Sequence, residues 1–171
     1  MQADGARRLA GLPPIVDAGV RVLILGSFPS PASLAAQRYY AHPQNQFWRL
    51  LGAVLELPLP ELDYAGKQRA LLAAGIGVWD VYRICRRDGS LDTAIRAAQP
   101  NDFAAVTRVA ELLRRVCFNG KTAARFAPRL ASQGFDTCVL PSSSPAYTMA
   151  FAGKLALWRA AISLPNDCTR R

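Results

Sequence analysis

Histidine is almost absent from this chain: His42 stands alone among 171 residues. A Ser-His-Asp triad would have to be built on it, and nothing nearby supplies the orienting carboxylate. There is no G-x-S-x-G elbow either, which weakens a serine hydrolase reading. Cysteine is sparse and scattered, at Cys85, Cys117, Cys138 and Cys168, with no CxxC pair. That spacing argues against a zinc ribbon or an iron–sulfur cluster of closely spaced ligands; the expectation is a protein with neither metal nor cofactor. Cys117 and Cys138 lie in apolar runs and read as small buried residues. No run approaches the roughly 20 apolar residues that cross a bilayer. Leu9 to Val16 is broken by Pro13-Pro14, too short for a signal sequence. A soluble, monomeric, cytoplasmic protein is the expectation. Acidic residues are outnumbered, 12 against 21 Lys and Arg, for a formal charge of +9. Such an excess points to a polyanionic partner, nucleic acid above all; the plainer alternative is a solvated basic surface. Arginine supplies most of it, and its planar fork suits phosphate.

Half of the chain is apolar, which suits one domain with a real core. The division expected is a basic, loose lead-in over 1–19, a single domain over 20–165 and a tail over 166–171. Short apolar runs at Val20–Leu25, Ile76–Trp79, Val116–Phe118 and Thr137–Leu140 read as buried strands. Between them, helices are expected over Asn45–Leu57, Glu61–Ala74, Ser90–Ala98, Phe103–Arg114 and Lys121–Leu130. A last helix is expected over Phe151–Ser163, packing through Leu155, Leu157 and Trp158. This alternation predicts a three-layer α/β/α fold around a mainly parallel four-stranded sheet. In such sheets ligands bind beyond the carboxyl ends of the strands, so the loops after Leu25, Trp79 and Leu140 should meet in one cleft.

The most informative stretch is 20–50. A buried strand ends at Gly26 and delivers a polar, aromatic loop to the helix that Asn45 is placed to cap. Gly26-Ser-Phe-Pro-Ser30, followed by Tyr39-Tyr-Ala-His-Pro-Gln-Asn-Gln-Phe-Trp48, resembles the first motif of the uracil-DNA glycosylase superfamily. More narrowly it resembles the hypoxanthine-DNA glycosylase branch, family 6. Trp79-Asp-Val-Tyr-Arg-Ile-Cys-Arg-Arg-Asp-Gly-Ser-Leu-Asp92 and Leu140-Pro-Ser-Ser-Ser-Pro-Ala146 agree, in the family's order. Mismatch-specific uracil glycosylases are less similar: they carry Asn in the first loop where this chain has Phe28. The resemblance implies a monofunctional DNA glycosylase that flips out and hydrolyses off a deaminated base, hypoxanthine or else uracil. The rival from another class is a basic nucleic-acid-binding domain that kept the fold and lost the chemistry.

The same resemblance makes Asn45 the catalytic residue, holding water or the base beside C1′; its plainer role is the helix cap. It implies that Tyr40 stacks on the base, although a partly buried core tyrosine reads the same way. Gly26, Ser27 and Phe28 would border the base. His42 could bond the base, bond a phosphate or merely hold the loop. Ser142, Ser143 and Ser144, in a Pro-flanked loop, would enter the DNA, with Tyr147 a candidate wedge. Ser30 and the cluster Arg83, Arg86 and Arg87 would meet phosphates. Asn119-Gly-Lys-Thr122 looks like the end of a phosphate-binding loop, but position 115 is Arg where the first glycine is required, so a structural helix start is preferred.

Overall fold

A five-residue strand, every residue of it buried, forms the middle of the protein. A computed structural model of the chain describes residues 7–163, so the tail over 166–171 and Cys168 lie outside the described residues. In chain order the strands are β1 (Arg8–Ala10), β2 (Val22–Gly26), β3 (Ile76–Asp80), β4 (Tyr82–Arg86), β5 (Arg96–Pro100), β6 (Arg115–Asn119) and β7 (Asp136–Leu140). The helices are α1 (Pro31–Ala36), α2 (Phe47–Leu55), α3 (Tyr64–Ala73), α4 (Ala104–Thr107), α5 (Lys121–Ala124), α6 (Ala127–Ser132) and α7 (Phe151–Ile162).

The four predicted strands form one sheet of order β3-β2-β6-β7 in which every pairing is parallel. Val22, Leu23, Ile24 and Leu25 are all but inaccessible in its interior, which is why β2 reads as an unbroken apolar run rather than an alternating one. Helices flank the sheet, α3 against β3, α5 and α6 against β6 and β7, and α7 against β7. This is the expected α/β/α fold. The α2 and α7 helices pack together, with the Phe47 ring edge-on to Trp158 at 5.8 Å.

A second sheet was not foreseen. Strands β1, β4 and β5 form an antiparallel sheet in that order. The described part of the lead-in, from residue 7, is therefore not loose: Arg8 pairs with Arg86 and Ala10 with Ile84. Further on, Ile15 exchanges backbone bonds with Val78 at 2.8 and 3.0 Å, closing the free edge of β3, an arrangement that shields an otherwise open strand. The polar loop expected at Arg83–Arg87 is mostly strand β4. The helix expected over Ser90–Ala98 is a short 3-10 turn, Asp92–Ala94, followed by strand β5. Neither β4 nor β5 carries an apolar run; they are strands because distant segments supply their ladder bonds.

Helix boundaries moved for local reasons. The first loop contains α1, whose cap is Ser30, accepting from the Ser33 amide at 3.1 Å. Glu56 adopts a left-handed conformation that ends α2 before Pro58. The helix expected from Glu61 begins at Tyr64, because Asp63 caps α3 by accepting from Gly66 N at 2.7 Å. Lys121–Leu130 is two helices because Pro128 cannot donate to the carbonyl four residues earlier. After Thr107 the chain turns so that Arg114 and Arg115 can both donate to Arg21 O at the start of β6, leaving Val109 and Leu112 exposed. On α7, Leu157 also faces outward; Lys154, Trp158 and Ile162 are the buried residues.

Candidate active site

The carboxyl ends of β2, β3, β6 and β7 open into one cavity of about 300 Å³, at the small end of ligand sites and ample for one nucleobase. From β2 and its loop come Gly26, Ser27, Phe28 and Ser30, then Tyr40, His42 and Asn45. Asp80 ends β3 and Asn119 ends β6; Ser142, Ser143, Ser144 and Tyr147 follow β7. The three loops expected to converge do converge.

Gly26 is required here by space. A side-chain carbon at this position would lie 2.6 Å from Asp80 Oδ1 and 2.8 Å from the Tyr40 hydroxyl, closer than real contacts allow. Its carbonyl accepts from Val81 N at 2.9 Å, and Ser27 O accepts from Tyr82 N at 3.1 Å, tying the first loop to the start of β4. Ser27 Oγ donates to Asp92 Oδ1 at 2.6 Å.

Tyr40 holds a left-handed backbone, φ 52°, a conformation that costs energy outside glycine and gathers at functional sites. One face of its ring stacks on Phe47 at 3.8 Å, and its hydroxyl accepts from Asn119 Nδ2 at 3.2 Å. Burial, with Asp80 nearby, pushes the phenol far above its ordinary range and keeps it protonated. Tyr40 is thus packed on the core and lines the cavity.

Asn45 makes the bond expected of a cap, Oδ1 accepting from Phe47 N at 3.0 Å, although the residue flanking the helix is Gln46. One lone pair of Oδ1 and the Nδ2 amide remain to serve a ligand. His42 braces the same turn: its Nδ1 accepts from Gln44 N at 3.1 Å and its carbonyl from Asn45 N at 3.0 Å.

Asn119 was read only as a helix start. Its Nδ2 donates to Ser143 Oγ at 2.9 Å as well as to Tyr40, and its Oδ1 accepts from Ser143 N at 2.9 Å. Gln46 N adds a bond to Ser143 O at 3.0 Å. Ser143 is therefore wholly buried and joins the β7 loop to β6 and α2, which removes it from the set of residues that can touch a phosphate. Ser142 and Ser144 keep partial exposure, and Tyr147 is exposed beside Lys154, whose ammonium lies 5.4 Å from its ring centre.

The arginine cluster divides. Arg83 and Arg86 are exposed, Arg83 donating to Gln99 Oε1 at 3.0 Å. Arg87 is buried, donates to Pro29 O and places its guanidinium 5.3 Å from the centre of the Phe28 ring. It clamps the first loop and faces no phosphate, and Phe28 is largely buried beneath it.

The most unusual group is one that motif reading passed over. Asp80 is 4 % exposed, and its Oδ2 has no hydrogen-bond partner among the described residues. Burial, and secondarily the Asp92 carboxylate, raise its pKa to about 7 against the opposing pull of Arg87. A run of apolar strand ending in Asp was the available signal.

A buried, partner-hungry cavity at the switch edge of a parallel sheet fits a ligand site, and comparison with known proteins decides which. Residues 13–163 match the model of the uracil DNA glycosylase superfamily. The chain belongs to the uracil-DNA glycosylase superfamily. Among members of the superfamily, a hypoxanthine DNA glycosylase of Methanosarcina barkeri is 37 % identical over 148 residues, 86 % of this chain and 94 % of the other. One from Methanosarcina acetivorans is 39 % identical over 150 residues, 88 % and 95 % of the two chains. A solution NMR structure of a candidate uracil DNA glycosylase from Methanosarcina acetivorans superposes with a TM-score of 0.83 at 38 % identity, covering 90 % and 96 %. For a glycosylase of this superfamily, DNA is the substrate, and no helix among the described residues is long and apolar enough to cross a membrane.

Proposed function

We propose that the chain removes hypoxanthine, and uracil as a second substrate, from DNA by hydrolysing the N-glycosidic bond of a flipped-out nucleotide. The observation that carries this reading is the nucleobase-sized cavity lined by a buried carboxyl oxygen without a partner, in a chain over a third identical to hypoxanthine DNA glycosylases across most of its length.

In this reading the base slides beside Gly26, where backbone can approach it closely, between Phe28 and the Tyr40–Phe47 stack. Breaking the bond leaves positive charge on the sugar and negative charge on the base. Donors fixed in a dry cavity stabilise that charge without reorganising. Asn45, on the turn that His42 braces, orients the water that attacks C1′. Ser27, anchored by Asp92, borders the base, while Ser142, Ser144 and Tyr147 press into the duplex and Ser30, Arg83 and Arg86 follow its backbone. Ser143, Asn119 and Arg87 support these groups from behind. Enzyme of this kind acts as a cytoplasmic monomer without a metal.

The test is direct. Incubation with a deoxyinosine oligonucleotide followed by alkali gives strand scission if base is excised. Tight binding without scission would instead support the non-catalytic nucleic-acid-binding domain.

A further inference from the structure

Asp80 has no structural task that needs an ionisable carboxyl. Its backbone oxygen takes the Asn101 amide at 2.8 Å, yet its side chain lines the cavity with Oδ2 unpaired. A buried polar atom without a partner is costly and rare. Gly26 leaves room for the Oδ1 side of the carboxyl and for the Tyr40 hydroxyl, while Oδ2 is the oxygen left without a partner. An atom so placed lacks a ligand rather than a neighbour.

We propose that Asp80, as the neutral acid, is the catalytic hydrogen-bond donor that reads the lactam edge of the flipped base and shares a proton with it as the glycosidic bond breaks. The chemistry of the edge supports this. Hypoxanthine presents O6 beside N1–H, and uracil presents O4 beside N3–H, in each case an acceptor next to a donor. A protonated carboxyl presents the complementary pair, whereas a carboxylate can only accept. An ionised Asp80 would also oppose the charge that builds on the leaving base. The bookkeeping is closed: the C1′–N electron pair leaves with the base, water oxygen bonds to C1′, and the proton released by water neutralises the base through solvent. Asp80 ends as it began.

The groups that face Asp80 are few. Burial first, and then Asp92, favour its neutral form; Arg87 opposes them, while held to Pro29 O; Tyr39 and Tyr40 stand beside it as buried phenols. His42, the one histidine of the chain, lines the same cavity.

This proposal rests on the glycosylase reading, and the experiment separates the two. Single-turnover excision from a deoxyinosine oligonucleotide is measured with the full chain from about pH 5.5 to about pH 8.5, where a single essential acid imposes a tenfold fall per unit on the alkaline side. Parent protein should lose rate in this way above about pH 7, the value set for Asp80. Asp80→Asn keeps a donor and an acceptor without titrating, so its profile should be flat, within about tenfold of the parent at low pH; Asp80→Ala should fall by about 10²-fold or more. His42→Gln should keep the parent's alkaline limb. An Asp80→Asn profile that still falls like the parent's, or a limb that vanishes in His42→Gln, overturns the assignment. So does an Asp80→Ala rate within a few-fold of the parent, read on protein whose thermal melt confirms folding; should that variant not fold, the Asn profile alone decides. No excision by the parent at any pH would overturn the glycosylase reading itself.

Discussion

Asn45 combines two roles in one amide, and substitution separates them. Its Oδ1 holds Phe47 N at the start of α2, so Asn45→Ala should cost about 1 kcal/mol in denaturant unfolding, the usual value of a lost cap. Asn45→Asp keeps the acceptor and should preserve stability. If Asn45 also orients water, single-turnover excision by the Ala variant should fall on the order of 10²-fold; a rate within a few-fold of the parent would leave Asn45 only a cap. Asp80 makes a different residue-scale statement, about stability. Its folded pKa of about 7 lies above the ordinary 3.8, so between those values the folded state holds a proton that the unfolded state has released. Stability from this group is complete below about pH 4 and is lost as pH rises through about 7. The loss is on the order of 4 kcal/mol at most. Chemical denaturation of the parent at pH 5 and pH 8 should differ more than that of Asp80→Asn; equal differences would mean that Asp80 is not held neutral.

At the scale of elements, the site is assembled by one buried side chain that links three of them. Asn119, at the end of β6, bonds the Tyr40 hydroxyl of the first loop and both Ser143 N and Ser143 Oγ of the β7 loop. Asn119→Ala would strand these partners in a buried setting, at about 1–3 kcal/mol for each unsatisfied group. The expected outcome is a loss on the order of 3 kcal/mol, with the β7 loop more readily cut by a protease; unchanged stability and cleavage would mean the loop is held otherwise. The same elements explain what could be read ahead of time. β2, β3 and β6 are buried on both faces, so their apolar runs announce them; β7, at the edge of the sheet, is announced by a short apolar run although only Leu140 is buried and Val139 is exposed. β4 and β5, with Arg at 83, 86 and 96, announce nothing, because the β1 pairing and the partner strand hold them.

Across the whole molecule, a charge of +9 should make DNA binding fall steeply with salt through counterion release, each phosphate contact adding about 0.9 to the slope of log affinity against log salt. Arg83 and Arg86 are the exposed members of the β4 group and Arg87 the buried one. Replacing Arg83 and Arg86 with Ala should therefore shallow the slope by about 2. Arg87→Ala should instead lower stability, by loosening Phe28 and Pro29, and leave the slope as it was. Titrations at several salt concentrations check both; a slope altered by Arg87→Ala alone would place the DNA path over the first loop.

Local pattern sufficed for the parallel sheet, its strand order of appearance, the convergence of its loops and the basic character of the molecule. Those features follow from burial, periodicity and net charge, which each segment carries in its own residues. The motif residues Gly26, Tyr40, His42 and Asn45 likewise sit together because one loop joins them. Tertiary structure alone decided the rest. It made a strand of the Arg-rich segment, withdrew Arg87 and Ser143 from the surface, and drew Asn119 to Tyr40 across 79 positions of chain. It also left Asp80 buried without a partner. None of these can be read from neighbours in sequence, because each depends on which distant atoms exclude water from a side chain and which of them complete its hydrogen bonds.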